Sequence, residues 1–166
     1  MEAYVRSTEV LLKASSVTEI ADHVCQEIVR HDGYALALVG LLDPLSGEIN
    51  VIRTAGAAKG YAANLSLSIN ENTPGGQGPT GAAMRNRRIQ VVEDALIDPL
   101  YAQWRERAQK YNIRSSISVP IMCDGDVSGI LIVYAVRPQA FSDLDINLFI
   151  DLARKIKISI DIFKKN

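Results

Sequence analysis

The chain has 166 residues, of which 48% are hydrophobic and 22% are charged. This length suits one ordinary domain, and this composition allows a sizeable core and argues against intrinsic disorder. The 18 basic and 19 acidic residues are spread evenly and leave a formal net charge of -1, so neither nucleic-acid binding nor membrane binding is indicated. The N-terminus has no signal-peptide pattern, and no stretch approaches the roughly 18 apolar residues of a membrane span. We therefore expect one domain over residues 1–166, located in the cytoplasm.

Hydrophobic periodicity and turn residues divide the chain into helices and strands. The predicted elements are, in chain order, a helix over 1–14, a helix from the capping box Ser16/Glu19 to Asp32-Gly33, strands over 34–42, 49–55 and 65–69, a helix over 80–87, a strand over 89–92, a helix over 98–112, strands over 114–122 and 127–136, and a helix from Ser142 to the last residues. The strand connections suit antiparallel pairing, and regular βαβ alternation is absent from the sequence. We expect an α+β fold: a central six-stranded antiparallel sheet, terminal helices on one face, and short connecting helices and loops on the other.

The most distinctive stretch is rich in glycine and proline and runs from Thr73 to Gly81. Pro79 suits the first position of a helix, where a missing N–H does no harm. Gly75-Gly76-Gln77-Gly78 lacks the lysine of a phosphate-binding loop and does not fit the dinucleotide-binding fingerprint. The stretch therefore predicts a turn into a helix and no nucleotide chemistry.

Residues able to bind metals or act as nucleophiles are few. Cys25 and Cys123 are far apart and form no C-x-x-C or metal-like spacing, which favours two reduced thiols over a disulfide. His23 and His31 lie on or beside one helix, where a histidine is more often solvated than a ligand. Because the sequence also has no defensible Ser-His-Asp, phosphate-loop or paired-carboxylate motif, we expect no catalytic residues, no metal and no cofactor.

The last helix carries two rows of apolar residues. One row has the 3-4 spacing of a heptad seam, and the second row is Leu144, Leu148 and Leu152. If the second row faces the sheet, the seam is left for a partner helix of a second copy. The predicted dimer interface is Ile146, Phe149, Ile156, Ile160 and Phe163. The alternative is that both rows serve the core of the same chain. Because the pattern is still running at Asn166, we expect a domain of a longer protein, with this helix leading to an output domain.

Several motifs, in this order and spacing, resemble the GAF family. They are Gly78-Pro79-Thr80-Gly81, residues 89–94 (IQVVED), Asp98-Pro99, Trp104-Arg105, residues 115–121 (SSISVPI), residues 125–131 (GDVSGIL) and residues 141–148 (FSDLDINL). The version with W-R and SSIxVPI is most similar to GAF domains of bacterial signalling proteins such as histidine kinases and cyclic-di-GMP enzymes. This resemblance implies a non-catalytic sensor and dimerisation domain that binds an unknown small molecule and regulates an output domain in the same chain.

The resemblance also implies a pocket between the sheet and the short connecting helices. Its candidate residues are Thr80, Tyr101, Trp104, Arg105, Arg114, Ser116 and Ser118. Aromatic walls, hydroxyls and two guanidinium groups would suit a small, partly apolar, neutral or anionic molecule. Trp104 lies on the apolar stripe of its own helix, so a purely structural place in the core is an equal alternative.

Two other functions stay open. One is a dimerisation module that binds no ligand. The other is a thiol redox enzyme of the free methionine sulfoxide reductase type, for which two distant cysteines are a poor match because that chemistry needs a nearby resolving thiol. The signature of cyclic-nucleotide-binding relatives is not found, and neither the cysteines nor the histidines suit a bilin or haem attachment.

Overall fold

A computed structural model describes residues 17–164, with the side chains of residues 17–162. Within this range the chain forms five α-helices and five strands. They are α1 (Val17–Val29), β1 (Tyr34–Leu42), β2 (Ile49–Ala55), α2 (Lys59–Ala62), α3 (Pro79–Asn86), β3 (Gln90–Val92), α4 (Arg105–Lys110), β4 (Ser115–Cys123), β5 (Asp126–Ala135) and α5 (Asp143–Lys164), with 3-10 helices at Pro74–Gly76 and Pro99–Trp104. The predicted helix over residues 1–14 and the Ser16 cap lie outside the described residues.

The five strands form one antiparallel sheet in the order β2-β1-β5-β4-β3. The strands β1 and β5 lie side by side within it, and most of their residues are buried. A strand with a covered layer on both faces has no polar side, which explains the nearly continuous apolar runs of these two segments. The predicted α+β class with an antiparallel sheet is thus confirmed.

The prediction of six strands was wrong by one strand within the described residues. Residues 65–69 make only an isolated bridge, between Ser68 and Glu48. The reason is that the backbone leaves the sheet at this point: the N–H of Ser68 donates to the carbonyl of Gly75 in the following loop. The alternating pattern therefore marks an extended segment, but its hydrogen bonds do not continue into a ladder.

The predicted helix over residues 98–112 is divided in two. Its first part is the 3-10 helix Pro99–Trp104, whose start is capped by the carboxylate of Asp98 accepting from the N–H of Leu100. Its second part is α4, and Asn112 beyond it has a positive φ of 59°. The predicted cap and the predicted stop are therefore both present, with a change of helix type between them.

The strand β3 covers only part of its neighbour. Its three residues pair with Ser116–Ser118 of β4. In the described part of the chain, the continuation of β4 over residues 119–123 has no strand on its outer side. Pro120 lies in this uncovered stretch.

The helices α1 and α5 pack together on one face of the sheet. Phe149 of α5 is fully buried there, with its ring 5.4 Å from that of Tyr34 and 6.0 Å from that of Phe141, both in edge contact. The burial of apolar side chains such as these is the main favourable contribution to the free energy of folding. These contacts attach the C-terminal helix to the hairpin-forming strand β1.

The row on α5 that was predicted to face a second copy lies against the sheet. Phe149, Ile156 and Ile160 are buried within the single chain, and Ile146 packs partly buried on the same core. The side chain of Phe163 is outside the described residues. The 3-4 spacing is the same for a helix on a sheet as for a helix on a helix, so the sequence alone does not distinguish them. The second row is only partly in the core: Leu152 is buried, while Leu144 is 82% exposed and Leu148 is 38% exposed.

Although α5 has 22 residues, neither it nor any other helix within residues 17–164 is apolar enough over a sufficient length to cross a membrane.

Two substitutions on α5 test this assignment of its faces. Phe149→Ala should lower the free energy of unfolding by about 3–5 kcal/mol, because it leaves a cavity between aromatic rings. Leu144→Ala should change it by less than about 0.5 kcal/mol, because this side chain is exposed. Urea denaturation followed by circular dichroism measures both, and similar losses in the two variants would contradict the assignment.

Candidate ligand-binding site

A second core lies on the opposite face of the sheet and encloses a small cavity. The cavity lies between β4 and β5, the start of α3, the 3-10 helix Pro99–Trp104 and the loop after residue 65. Its volume is about 10 Å³, which is about the space of one water molecule. It is lined by Tyr61, Leu65, Leu67, Gly75, Gly78, Pro79, Thr80, Tyr101, Trp104, Ser116 and Tyr134.

The polar groups around the cavity are hydroxyls. The phenol oxygens of Tyr61 and Tyr101 are 2.5 Å apart, so one donates to the other. The hydroxyls of Thr80 and Ser118 are 3.1 Å apart and form a second pair. These side chains are buried, and so is Ser116 beside them. Of the predicted site residues, the structure therefore brings together Thr80, Tyr101, Trp104, Ser116 and Ser118.

The phenols of the cavity stay protonated at neutral pH. Burial raises the pKa of Tyr61 to about 12, although its hydrogen bond with Tyr101 acts in the opposite direction. Burial also raises the pKa of Tyr101 and that of Tyr134 well above their ordinary range. A buried phenolate would lose its hydration, and the opposing effect of the Arg107 charge on Tyr61 and Tyr134 is smaller than that of burial. These groups can donate or accept hydrogen bonds, but they supply no charge.

Trp104, Leu65 and Gly75 lie between the small cavity and a large open groove. The groove has a volume of about 810 Å³ and runs between α4 and the loop over residues 64–75. Trp104 lines both spaces and is 9% exposed. The six-membered part of its indole ring lies directly against Gly78. Trp104 therefore has both of the roles that the sequence left open: it is packed in the core, and it forms part of the wall of the pocket.

The two predicted arginines do not line the cavity or the groove. Arg105 donates to the backbone carbonyls of Ala95, at 3.1 Å, and of Asp98, at 2.9 Å. Arg114 forms an ion pair with Asp94 at 3.2 Å, and its hydrogen bond holds the pKa of that carboxyl below its usual range. Both guanidinium groups are therefore engaged in holding the segment between β3 and β4. A ligand in the cavity would not meet them.

Sequence reasoning missed two tyrosines that form the cavity. Tyr134 alternates with Ile132 and Ile130 along β5 and shares their face, so the period of two along a strand predicts its position. Tyr61 lies in the short helix α2, within a stretch predicted to be a loop, and no pattern in the sequence marks it. Its ring lies 5.0 Å from that of Tyr134.

The loop beneath the groove is held by an arginine of α3, Arg85, which is not among the predicted site residues. Arg85 of α3 donates to the carbonyl of Gly76 at 2.6 Å and to that of Ile69 at 3.1 Å. Both acceptors belong to the chain that encloses the cavity from the side of the groove. Arg85 is therefore a positioning residue for this loop.

Both cysteines lie on the other side of the sheet from the cavity. Cys25 and Cys123 are buried and belong to the core beneath α1 and α5. Burial is the larger cause that raises the pKa of Cys25 to about 12, and the charge of Asp22 adds to it. Within residues 17–164, no group of three or more His, Cys, Asp and Glu side chains is placed to hold a metal ion.

Comparison with protein families matches residues 14–161 to the GAF domain. The chain belongs to this family. The match includes the described sheet and almost all of the two helices packed on it. A search of curated proteins found no significant match.

Solved structures share the fold. The GAF domain region of a Geobacter sulfurreducens PCA protein is 25% identical, with a TM-score of 0.73 over 98% of this chain and 99% of that one. The GAF domain of a Coxiella burnetii phosphoenolpyruvate-protein phosphotransferase is 18% identical, with a TM-score of 0.78 over 95% and 90%. The free methionine-R-sulfoxide reductase of Neisseria meningitidis, solved with its substrate, is 19% identical, with a TM-score of 0.75 over 95% and 85%.

The tyrosine pair in the cavity gives a test by double substitution. Tyr61→Phe and Tyr101→Phe should each lower the free energy of unfolding by about 1–3 kcal/mol, because each leaves the other hydroxyl buried without its partner. The double variant should lose clearly less than the sum of the two, since both hydroxyls are then absent. Urea denaturation gives the three values. The partly exposed Tyr111→Phe is the control, and strictly additive losses at positions 61 and 101 would show that the two hydroxyls are not coupled.

Proposed function

We propose that this GAF domain is a regulatory sensor of a small molecule in a bacterial signal-transduction protein located in the cytoplasm. The observation that carries the proposal is the buried, hydroxyl-lined cavity behind Trp104, which adjoins an open groove. A few buried hydroxyls among apolar and aromatic side chains are suited to orient a ligand by hydrogen bonds. Trp104 lines the cavity on the side of the groove.

The sheet offers a direct connection from this cavity to the terminal helices. Along β4, Ser116 and Ser118 face the cavity side, while Ile117 and Val119 belong to the core beneath α1 and α5. A ligand that displaces these strands would therefore change the surface on which α5 packs. Packed layers transmit such displacements because they leave little empty space. We propose α5 as the element that carries the change towards an output domain in the same chain.

The relatives support a regulatory role. Similar folds include the GAF domain of the Coxiella phosphoenolpyruvate-protein phosphotransferase and that of a Geobacter sulfurreducens protein that also has an HD domain. In both proteins the GAF domain is part of a larger chain. These likenesses, at 18% and 15% identity, are likenesses of fold and are consistent with an output domain that the ligand controls.

The position of the thiols favours a sensor over a redox enzyme. The Neisseria relative reduces free methionine sulfoxide, and thiol reductases act through a thiolate that reaches the substrate. Here Cys25 and Cys123 lie beneath the helices, on the opposite face of the sheet from the cavity. A substrate held among the cavity hydroxyls would be separated from both thiols by the sheet. We therefore propose a non-catalytic domain.

A thermal-shift screen of small metabolites tests the sensor proposal. A compound that binds the cavity at a concentration of about 100 times its Kd should raise the Tm by roughly 5–10 °C. Tyr101→Phe should reduce this shift, since it removes a hydroxyl from the cavity wall. Arg154→Ala, on the exposed side of α5, should leave the shift unchanged. A screen without any stabilising compound, or with compounds that act equally on both variants, would contradict the proposal.

We also propose that the domain forms a homodimer through its terminal helices, where Leu144, Leu148 and Ile158 of α5 are exposed although the row with Phe149 and Ile156 is buried. Sedimentation velocity at concentrations from about 5 to 200 µM should show a species of twice the monomer mass, since dimerisation depends on concentration. A monomer throughout this range would contradict homodimerisation and leave the ligand proposal unaffected.

A further inference from the structure

The walls of the cavity and of the groove differ in charge. Among the described residues that line the cavity, none has a charged side chain. The charged residues lie on the groove side of Trp104: Glu48, Glu106, Arg107 and Lys110. The structure therefore places a neutral, hydrogen-bonding interior beside a charged and solvated exterior, and Trp104, Leu65 and Gly75 line both.

Gly78 is the residue against which this tryptophan closes. A methyl group at position 78 would overlap Cζ3 and Cη2 of Trp104. The backbone of Gly78 has φ -104° and ψ -168°, which alanine adopts without strain. The missing side chain is therefore required for the close approach of the indole ring and not for the conformation of the backbone.

We propose that the cavity binds an uncharged aromatic molecule bearing a hydroxyl or carbonyl group, and that the molecule enters when the Trp104 ring moves away from Gly78. This inference rests on the proposed sensor function and names the class of its ligand. Movement of the indole ring would add its own space to the small cavity, whose walls carry the rings of Tyr61, Tyr101 and Tyr134, and a space of that shape suits a single aromatic ring. The hydroxyls of Tyr101 and Thr80 are placed to bond its polar group.

The side chains that line the cavity account for the preference for an uncharged ligand. A carboxylate or ammonium group in this space would lose its hydration and find hydroxyls in place of a counterion. Among the residues that line the groove, Arg107 lies over the Tyr61 ring, 5.7 Å from its centre, and its guanidinium donates to the backbone carbonyl of Ala63. Both predicted arginines that would have balanced an anion are occupied by Asp94 and by backbone carbonyls. The preferred ligand is thus neutral, rather than neutral or anionic.

The proposed movement of Trp104 away from Gly78, called the gate below, is tested first by fluorescence. This is possible because Trp104 is the single tryptophan of the chain. In the unmodified protein its emission should be that of a buried indole and weakly quenched by acrylamide. Gly78→Ala should shift the emission to longer wavelength and raise the quenching constant at least about threefold, while the circular dichroism spectrum stays that of the folded domain. A folded Gly78→Ala variant with unchanged emission and quenching would overturn the gate.

The ligand class is tested with three probes of similar size: benzyl alcohol, benzoate and benzylammonium. Each is titrated into the unmodified protein, Gly78→Ala and Trp104→Ala and followed by amide chemical shifts. Benzyl alcohol should bind both variants at least about tenfold more tightly than the unmodified protein, because a larger open fraction lowers the apparent Kd in proportion. The shifts should centre on Thr80, Tyr101 and Ser116. Benzoate and benzylammonium should bind at least about tenfold more weakly than the alcohol.

Phe141→Ala is the matched control, because it removes an aromatic side chain of similar burial from the other face of the sheet. The alcohol should bind at Thr80 and Tyr101 in this variant no more tightly than it does in the unmodified protein. Equal binding of benzoate and benzyl alcohol at the cavity would overturn the neutral ligand class, and the absence of alcohol binding in both open variants would overturn the site. If Gly78→Ala does not fold, Trp104→Ala and the milder Trp104→Leu decide by the same criteria.

The outcomes separate this inference from the sensor proposal. If metabolites stabilise the unmodified protein but Trp104 stays buried in Gly78→Ala, the sensor proposal stands and the gate is contradicted. If benzyl alcohol binds the open variants but no metabolite stabilises the unmodified protein, the binding site stands and the sensor proposal is contradicted.

Discussion

The structure depends on a sheet whose two faces are both covered by the same chain. Side chains that alternate along β4 and β5 enter two different cores, one beneath the helices and one around the hydroxyl cavity. Ser118 bonds Thr80 on one side, while its neighbour Ile117 is buried under the helices on the other. Neither layer can change shape without moving strands that the other layer packs on. This constraint keeps the cavity small, and it also connects the cavity mechanically to the C-terminal helix.

Most of the fold could be predicted from local pattern, because turn and cap chemistry is a property of a few adjacent residues. Asn112 adopts the positive φ expected at a helix end, and Ser142 caps α5 through hydrogen bonds with Asp145. The errors concern long-range choices. Alternation cannot show whether residues 65–69 find a ladder partner, and a row such as Phe149 and Ile156 has the same spacing whether it meets a sheet or a helix.

The sequence predicted which types of residue surround the cavity more accurately than it predicted the charge of the cavity. Trp104 and Tyr101 border the cavity because aromatic residues on the apolar stripe of a helix face the sheet. Arg105 and Arg114 are on the same segments, but long side chains reach whichever acceptors the tertiary structure places nearby, and here these are backbone carbonyls and Asp94. Tyr61 comes from a distant segment without periodicity. A polar pocket built across several segments therefore needs coordinates before its charge can be stated.

The short strand β3 has a consequence for how molecules of this protein meet one another. Within residues 17–164 it leaves residues 119–123 of β4 without a neighbouring strand on that side, and unpaired edges can recruit strands from other chains into extended aggregates. Pro120 interrupts this stretch, and the groove beside it carries Arg87, Arg154 and Lys157. Proline and positive charge are the means by which natural sheets discourage such growth. This edge of the sheet is therefore protected against the strand-to-strand pairing that leads to polymerisation.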